Sequence, residues 1–169
     1  MTRFASILMF MLATPFSFAG EESRSLSFFH THTGKSLELT YWSDGEYRQE
    51  ALQQLSEFLA DWRNGEETDI DPELFDLLYR LQQAAESKGR FEVISAYRSP
   101  ETNDMLRQRS NGGVASKSQH LLGKAIDVRL SDVDSRVLYE TALSLEAGGV
   151  GYYSKSDFVH VDTGRVRRW

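Results

Sequence analysis

Ser118-Gln119-His120-Leu121-Leu122-Gly123-Lys124-Ala125-Ile126-Asp127 runs from a polar loop into an apolar strand and sets a histidine and a carboxylate on either side of a glycine. Ala125 to Leu130 has the near-continuous apolar content of a strand buried on both faces, which predicts a sheet with Asp127 inside it. An ionised carboxylate flanked by Ile126 and Val128 needs compensation, because burying it unpaired costs several kcal/mol or more, on the order of its lost solvation. A cation, hydrogen-bond donors or water must meet it. Gly123 lets the chain turn sharply and bring Asp127 back toward His120.

Downstream, Ser156-Asp157-Phe158-Val159-His160-Val161-Asp162 reads as a loop entering another strand. Alternation sends His160 and Asp162 to one face and leaves Val159 and Val161 to pack. His120, Asp127 and His160 then form one polar cluster, and two imidazoles with one carboxylate suit a catalytic zinc that keeps a fourth position for water or substrate. One Zn2+ per chain is expected. Asp157 stands beside the cluster without belonging to it and is the candidate general base. Arg98, following the strand Phe91 to Tyr97, is the candidate for stabilising a developing oxyanion. Ser118 offers a hydrogen bond to substrate, and Asp162 an acceptor for the second N–H of an imidazole.

Outward from these strands the helices are legible. Tyr47 to Trp62 carries Ala51, Leu52, Leu55, Phe58, Leu59 and Trp62 at helical spacing, with Asn64-Gly65 as its stop. Asp71-Pro72-Glu73 supplies an N-cap, a first-turn proline and an early carboxylate for a second helix ending at Lys88-Gly89. Ser99-Pro100-Glu101 opens a short helix to about Arg109, and Ser135 to Glu146 forms another. Val150 to Tyr153 and Phe158 to Val161 complete the strands. Before all of these, Leu26 to Trp42 alternates about Thr33-Gly34, the pattern of a β-hairpin, expected as an edge ribbon with His30 and His32 exposed on its face. Helices followed by a small, mainly antiparallel sheet interleaved with helices make the class α+β.

Arg3, the apolar run Phe4 to Leu12 and Ser17-Phe18-Ala19 have the form of a secretory signal, so residues 1–19 are expected to be removed and residues 20–169 to form one domain. The run is shorter than the roughly 20 residues a bilayer span requires, so no stable membrane anchor is expected. Without cysteine there is neither disulfide nor thiolate ligand, and a metal site must use His, Asp and Glu. Loss of Arg3 leaves 18 bases against 25 acids, 18 − 25 = −7, which argues against nucleic acid as a partner. Trp42, Trp62 and Trp169 are expected to pack in the core or at edges, and Arg165-Val166-Arg167-Arg168 to form a solvated basic end.

Ser-x-His-x-x-Gly-x-Ala-x-Asp from Ser118, a later Asp-x-x-His from Asp157 and Tyr97-Arg98-Ser99 upstream resemble the LAS zinc peptidases, in the D-Ala-D-Ala carboxypeptidase and VanX branch and its murein endopeptidases. The resemblance covers about Leu26 to Trp169. It implies zinc on His120, Asp127 and His160, Asp157 as base, Arg98 at the scissile carbonyl, and peptidoglycan peptides with D-centres as substrate in the periplasm. Within it a crosslink endopeptidase is the first expectation, on diaminopimelate–diaminopimelate or D-Ala–diaminopimelate bonds. A D-Ala carboxypeptidase or dipeptidase, or a zinc-containing module that binds cell-wall peptide without cutting it, is the alternative. The VanX branch carries glutamate where this chain has Asp157, one methylene shorter.

Overall fold

A computed structural model describes residues 23–110 and 113–169. The expected signal segment, residues 1–19, lies outside the described residues. Among the described residues eight strands form one sheet in the order β3-β2-β1-β4-β5-β7-β6-β8. They are β1 Ser23–His30, β2 Ser36–Ser43, β3 Glu46–Tyr47, β4 Phe91–Ser95, β5 Ala125–Leu130, β6 Gly149–Tyr153, β7 Phe158–Asp162 and β8 Arg167–Arg168. The α-helices of the described residues are α1 Gln49–Phe58, α2 Pro72–Ala84, α3 Pro100–Arg109 and α4 Ser135–Ser144. The class is α+β, with antiparallel pairing everywhere except between β1 and β4 and between β6 and β8.

The N-terminal hairpin is not an edge ribbon. Only β2 and β3 lie at the margin, while β1 is internal and pairs in parallel with β4, Phe28 opposite Phe91. A parallel return needs a long crossover, and α1 and α2 provide it. Local alternation showed the hairpin but carried no information on what its other edge would meet.

α2 begins as its sequence dictates: the Asp71 side chain accepts from the Glu73 N–H at 3.1 Å and Pro72 occupies the first turn. Leu74, Phe75, Leu77, Leu78 and Leu81 are buried on one side of it, each worth about 1.5–3 kcal/mol relative to exposure. It ends before Lys88-Gly89, since Glu86 already turns into a positive φ of 50°. α1 is shorter than its apolar spacing suggests. Tyr47 is held in β3 against Trp42, and beyond Phe58 the backbone is claimed by Asp61, whose carboxylate accepts from the Arg63 and Ser99 N–H groups.

Alternation gives the sheet two chemically different faces. Ile126, Val128 and Leu130 of β5 and Val159 and Val161 of β7 join the core with Phe28, Phe91, Leu55, Leu78 and Leu138. Asp127 and His160, directly paired across β5 and β7, stand on the other face with Asp162.

Candidate metal centre

His120 sits in a 3-10 turn, Gln119–Leu122, whose end requires Gly123. That glycine has φ +64°, and a Cβ there would lie 2.5 Å from the Asp69 carbonyl oxygen. Ser118 caps the turn, its Oγ accepting from the His120 N–H at 3.4 Å. These constraints bring the His120 imidazole under the β5–β7 pair, where it is 1% exposed.

The hydrogen bonds around the two imidazoles fix where their protons lie. His120 Nδ1 is 2.6 Å from the Ala96 carbonyl oxygen, which only accepts, so Nδ1 carries the hydrogen and Nε2 a lone pair. His160 Nε2 is 2.8 Å from Asp162 Oδ2 and donates to it, leaving the lone pair on Nδ1. Those two unprotonated nitrogens face each other at 3.1 Å, with Asp127 Oδ1 at 2.9 Å from His160 Nδ1 and 3.3 Å from His120 Nε2. Three acceptors thus converge without a proton between them. The ligand atoms of this trio lie within 4.8 Å of one another, so the set could hold a metal ion, and its donors are those of catalytic zinc sites.

The electrostatics agree. Burial lowers the His120 pKa and keeps the ring neutral, the ligating form. Burial would lower that of His160 too, but hydrogen bonds to Asp127 and Asp162 outweigh it and raise the value. The field that draws a proton to His160 also draws a metal cation. For Asp127, burial pushes upward, yet its two histidine neighbours outweigh that and hold its pKa well below the ordinary carboxylate value.

Arg98 pairs with none of Glu92, Glu101 or Asp104. Its Nη2 donates to Asp127 Oδ2 at 2.5 Å and its Nε to Ser95 Oγ at 3.1 Å, so one oxygen of Asp127 faces the imidazoles and the other faces the guanidinium. Asp162 is fully buried and accepts from Arg167, Gly149 N–H and Gly164 N–H as well as from His160. Burial acts to raise its pKa, and the bonds from His160 and Arg167 drive it far down. Arg167 is therefore no solvated end: β8 runs beside β6 and its guanidinium locks the carboxylate that orients His160. Asp157 stands apart, exposed, at a positive φ of 52° on the turn before β7, with Oδ2 3.6 Å from Arg129 Nη1.

A cavity of about 550 Å3 opens over the three convergent atoms, and Arg98 and Ser118 line it while Asp157 does not. Its walls bring in residues that sequence reasoning left aside: His32 and Arg63 on one side, Tyr153, Phe158 and Trp169 on the other. Trp169 packs 5.1 Å from the His160 ring, so it is a cavity wall and not only edge packing. His30 is buried, against expectation, its Nδ1 accepting from the His32 N–H at 3.3 Å, whereas His32 is exposed as expected and stacks on Trp62 at 4.1 Å. The spacing of aromatic and basic residues gave no signal for this wall, which exists only once β1 lies beside β4.

Residues 18–169 match the family described as peptidoglycan L,D-endopeptidase MepK. The chain belongs to this family. Peptidoglycan L,D-endopeptidase MepK of Escherichia coli is 44% identical over 146 residues, covering 86% of this chain and 80% of that protein, and the protein of the same name from Shigella flexneri matches equally. The probable peptidoglycan L,D-endopeptidase MepK of Haemophilus influenzae is 38% identical over 160 residues, 94% of this chain and 82% of its own. No solved structure matches the chain. Among the described residues no helix is long and apolar enough to cross a membrane.

Proposed function

We propose that this chain is a periplasmic zinc endopeptidase that hydrolyses peptide crosslinks of peptidoglycan, released from residues 1–19 on export. The observation that carries the reading is the convergence of His120 Nε2, His160 Nδ1 and Asp127 Oδ1, three acceptors that only a cation or an added proton can reconcile. The names of the relatives, L,D-endopeptidases, favour a bond between an L- and a D-centre, as in diaminopimelate–diaminopimelate crosslinks, over D-Ala–diaminopimelate bonds.

Zinc bound there supplies Lewis acidity to the scissile carbonyl and acidifies water. Asp162 holds His160 in the ligating tautomer, and Ala96 does the same for His120. Arg98 orients Asp127 and, from the cavity wall, donates to the negative charge that develops on the carbonyl oxygen. Ser118 presents its hydroxyl to the substrate backbone. Asp157 takes the proton of the attacking water, for which its carboxylate turns away from Arg129 toward the cavity. An exposed pair of this length is worth about 0–1 kcal/mol, so little opposes that rotation.

Purified protein incubated with crosslinked muropeptides should yield chelator-sensitive products, and their masses separate crosslink opening from removal of a terminal D-residue. Asp157→Asn should lower turnover about 10²–10⁴-fold, the range for a general base, with zinc content unchanged. Full activity in that variant refutes the base. The position of Asp157 outside the cavity favours one second reading, a zinc-containing module that binds cell-wall peptide without cutting it; absence of any chelator-sensitive product would establish that reading instead.

A further inference from the structure

The cavity is unevenly charged. Arg63, Arg98, Lys117 and Arg167 line it, and among the described lining residues Asp127 is the one carboxylate. Arg98 is neutralised by Asp127 and Arg167 by Asp162. Arg63 differs. Its nearest carboxylate, Asp61, lies 3.8 Å from Nη1, beyond hydrogen-bonding range, and already accepts from the Arg63 and Ser99 N–H groups. Arg63 Nη1 is the buried end of the side chain, turned toward Asp61 and without a hydrogen-bond partner among the described residues, while the side chain as a whole is partly exposed and lines the cavity. A guanidinium always carries its charge and its donors, and an ion pair as long as 3.8 Å leaves that charge incompletely met.

Nor is the side chain loose. The Arg63 guanidinium lies 4.2 Å from the Trp62 ring centroid, and the same indole stacks on His32 at 4.1 Å and 16°. Stacking of this kind holds both groups in place. Arg98 lines the same cavity but is already paired with Asp127, so an anion entering there meets Arg63 as the cation without a close hydrogen-bonded carboxylate. A planar carboxylate matches the guanidinium fork.

We propose that Arg63, with His32 beside it, forms a subsite for a free carboxylate of the substrate, held within the cavity next to the bond that is cut. This rests on the endopeptidase reading. In a crosslink made to the amine of a diaminopimelate D-centre, the residue that gives the amine keeps its own α-carboxylate one atom away from the scissile nitrogen. No other carboxylate of the crosslinked peptide lies so near the bond, and the cavity of about 550 Å3 confines the choice to such a neighbour. Arg63 is thus a specificity-determining residue, and the enzyme reads the acid against its amide.

The test compares crosslinked dimers whose amine-side diaminopimelate bears either the carboxylate or the carboxamide, alongside calorimetry with the corresponding uncrosslinked stem peptides, using the zinc-loaded full chain. Wild type should favour the acid in both kcat/KM and Kd. Arg63→Gln should weaken the acid about 10- to 100-fold, the loss of a charge-assisted hydrogen bond, mostly in KM, and leave the amide unchanged, so that the preference collapses. Arg63→Lys should restore part of it. Equal Kd for acid and amide in the wild type, or an equal loss on both ligands in Arg63→Gln with an unaltered melting curve, overturns the subsite. Should Arg63→Gln not fold, His32→Phe, which keeps the stack on Trp62, must still diminish the preference. Preferential binding of the acid without any cleavage would support the subsite and refute the endopeptidase reading.

Discussion

Replacing Asp162 by Asn changes one atom of a fully buried side chain and tests the tautomer argument directly. The Oδ1 of Asp162 accepts from Gly149 N–H at 3.1 Å, Gly164 N–H at 2.9 Å and Arg167 Nη1 at 3.0 Å, and an amide oxygen can keep all three. At Oδ2 the amide instead presents NH2 to two donors, His160 Nε2 at 2.8 Å and Arg167 Nη2 at 2.6 Å. Two charge-assisted bonds are lost, each worth about 1.5–3 kcal/mol. His160 escapes the clash by moving its proton to Nδ1, where it points at Asp127 and at His120 Nε2. Zinc must then displace that proton, so affinity should fall about 10–100-fold, the usual cost of losing a partner behind a metal-bound histidine, or roughly 1.4–2.8 kcal/mol. Competition against a fluorescent zinc chelator measures the affinity, and thermal melts in excess chelator report folding separately. Arg167→Met, which keeps the Asp162–His160 bond, should lose stability and retain most of the zinc affinity. A folded Asp162→Asn protein that binds zinc as tightly as wild type would refute the assignment of the His160 lone pair to Nδ1.

Gly149→Ala should destabilise the fold by about 1–3 kcal/mol, the range for overpacking, because its Cβ would approach Arg167 Nη1 and Asp162 Oδ2 to 2.4 Å; urea unfolding measures it. Asp76 accepts from Arg24, Tyr41 and Tyr47. Burial acts to raise its pKa, but those three bonds outweigh it and lower the folded-state value. Its contribution is complete above the unfolded-state carboxylate pKa and disappears as pH falls through the lower folded value. Asp76→Asn should therefore lose stability at neutral pH and show a flatter acid limb in urea titrations across that range. Leu78→Ala, at a fully buried site in the core, should cost about 2–5 kcal/mol with zinc affinity preserved.

What the sequence made legible is what neighbours in the chain decide. β5 was readable at its full length because an apolar run with one carboxylate in it admits few other meanings, and α2 because Asp71 and Pro72 mark its start. Alternation alone put His160 and Asp162 on one face. The role of Arg167 was not legible, since a basic run near a terminus looks the same whether solvated or locked to a buried carboxylate 5 residues earlier. His30 misled for a related reason: it is buried against Phe58, a residue of α1, and nothing in its own strand marks that contact. Asp157 was placed correctly beside its strand, but its positive φ and its partner Arg129 depend on a turn that residue types do not specify.

The parallel seam between β1 and β4 bears on the order in which the molecule assembles. Thr31 bonds to Val93 across 62 residues, whereas Asp127 and His160 meet across 33. Loop-closure entropy rises with that separation and must be met before packing returns anything. The strands bearing Asp127 and His160 are thus predicted to join before the first strand docks, and the wall holding His32 closes last. A chain caught between these events would hold zinc without yet discriminating among peptides, so selectivity is the property that arrives with the final folding step.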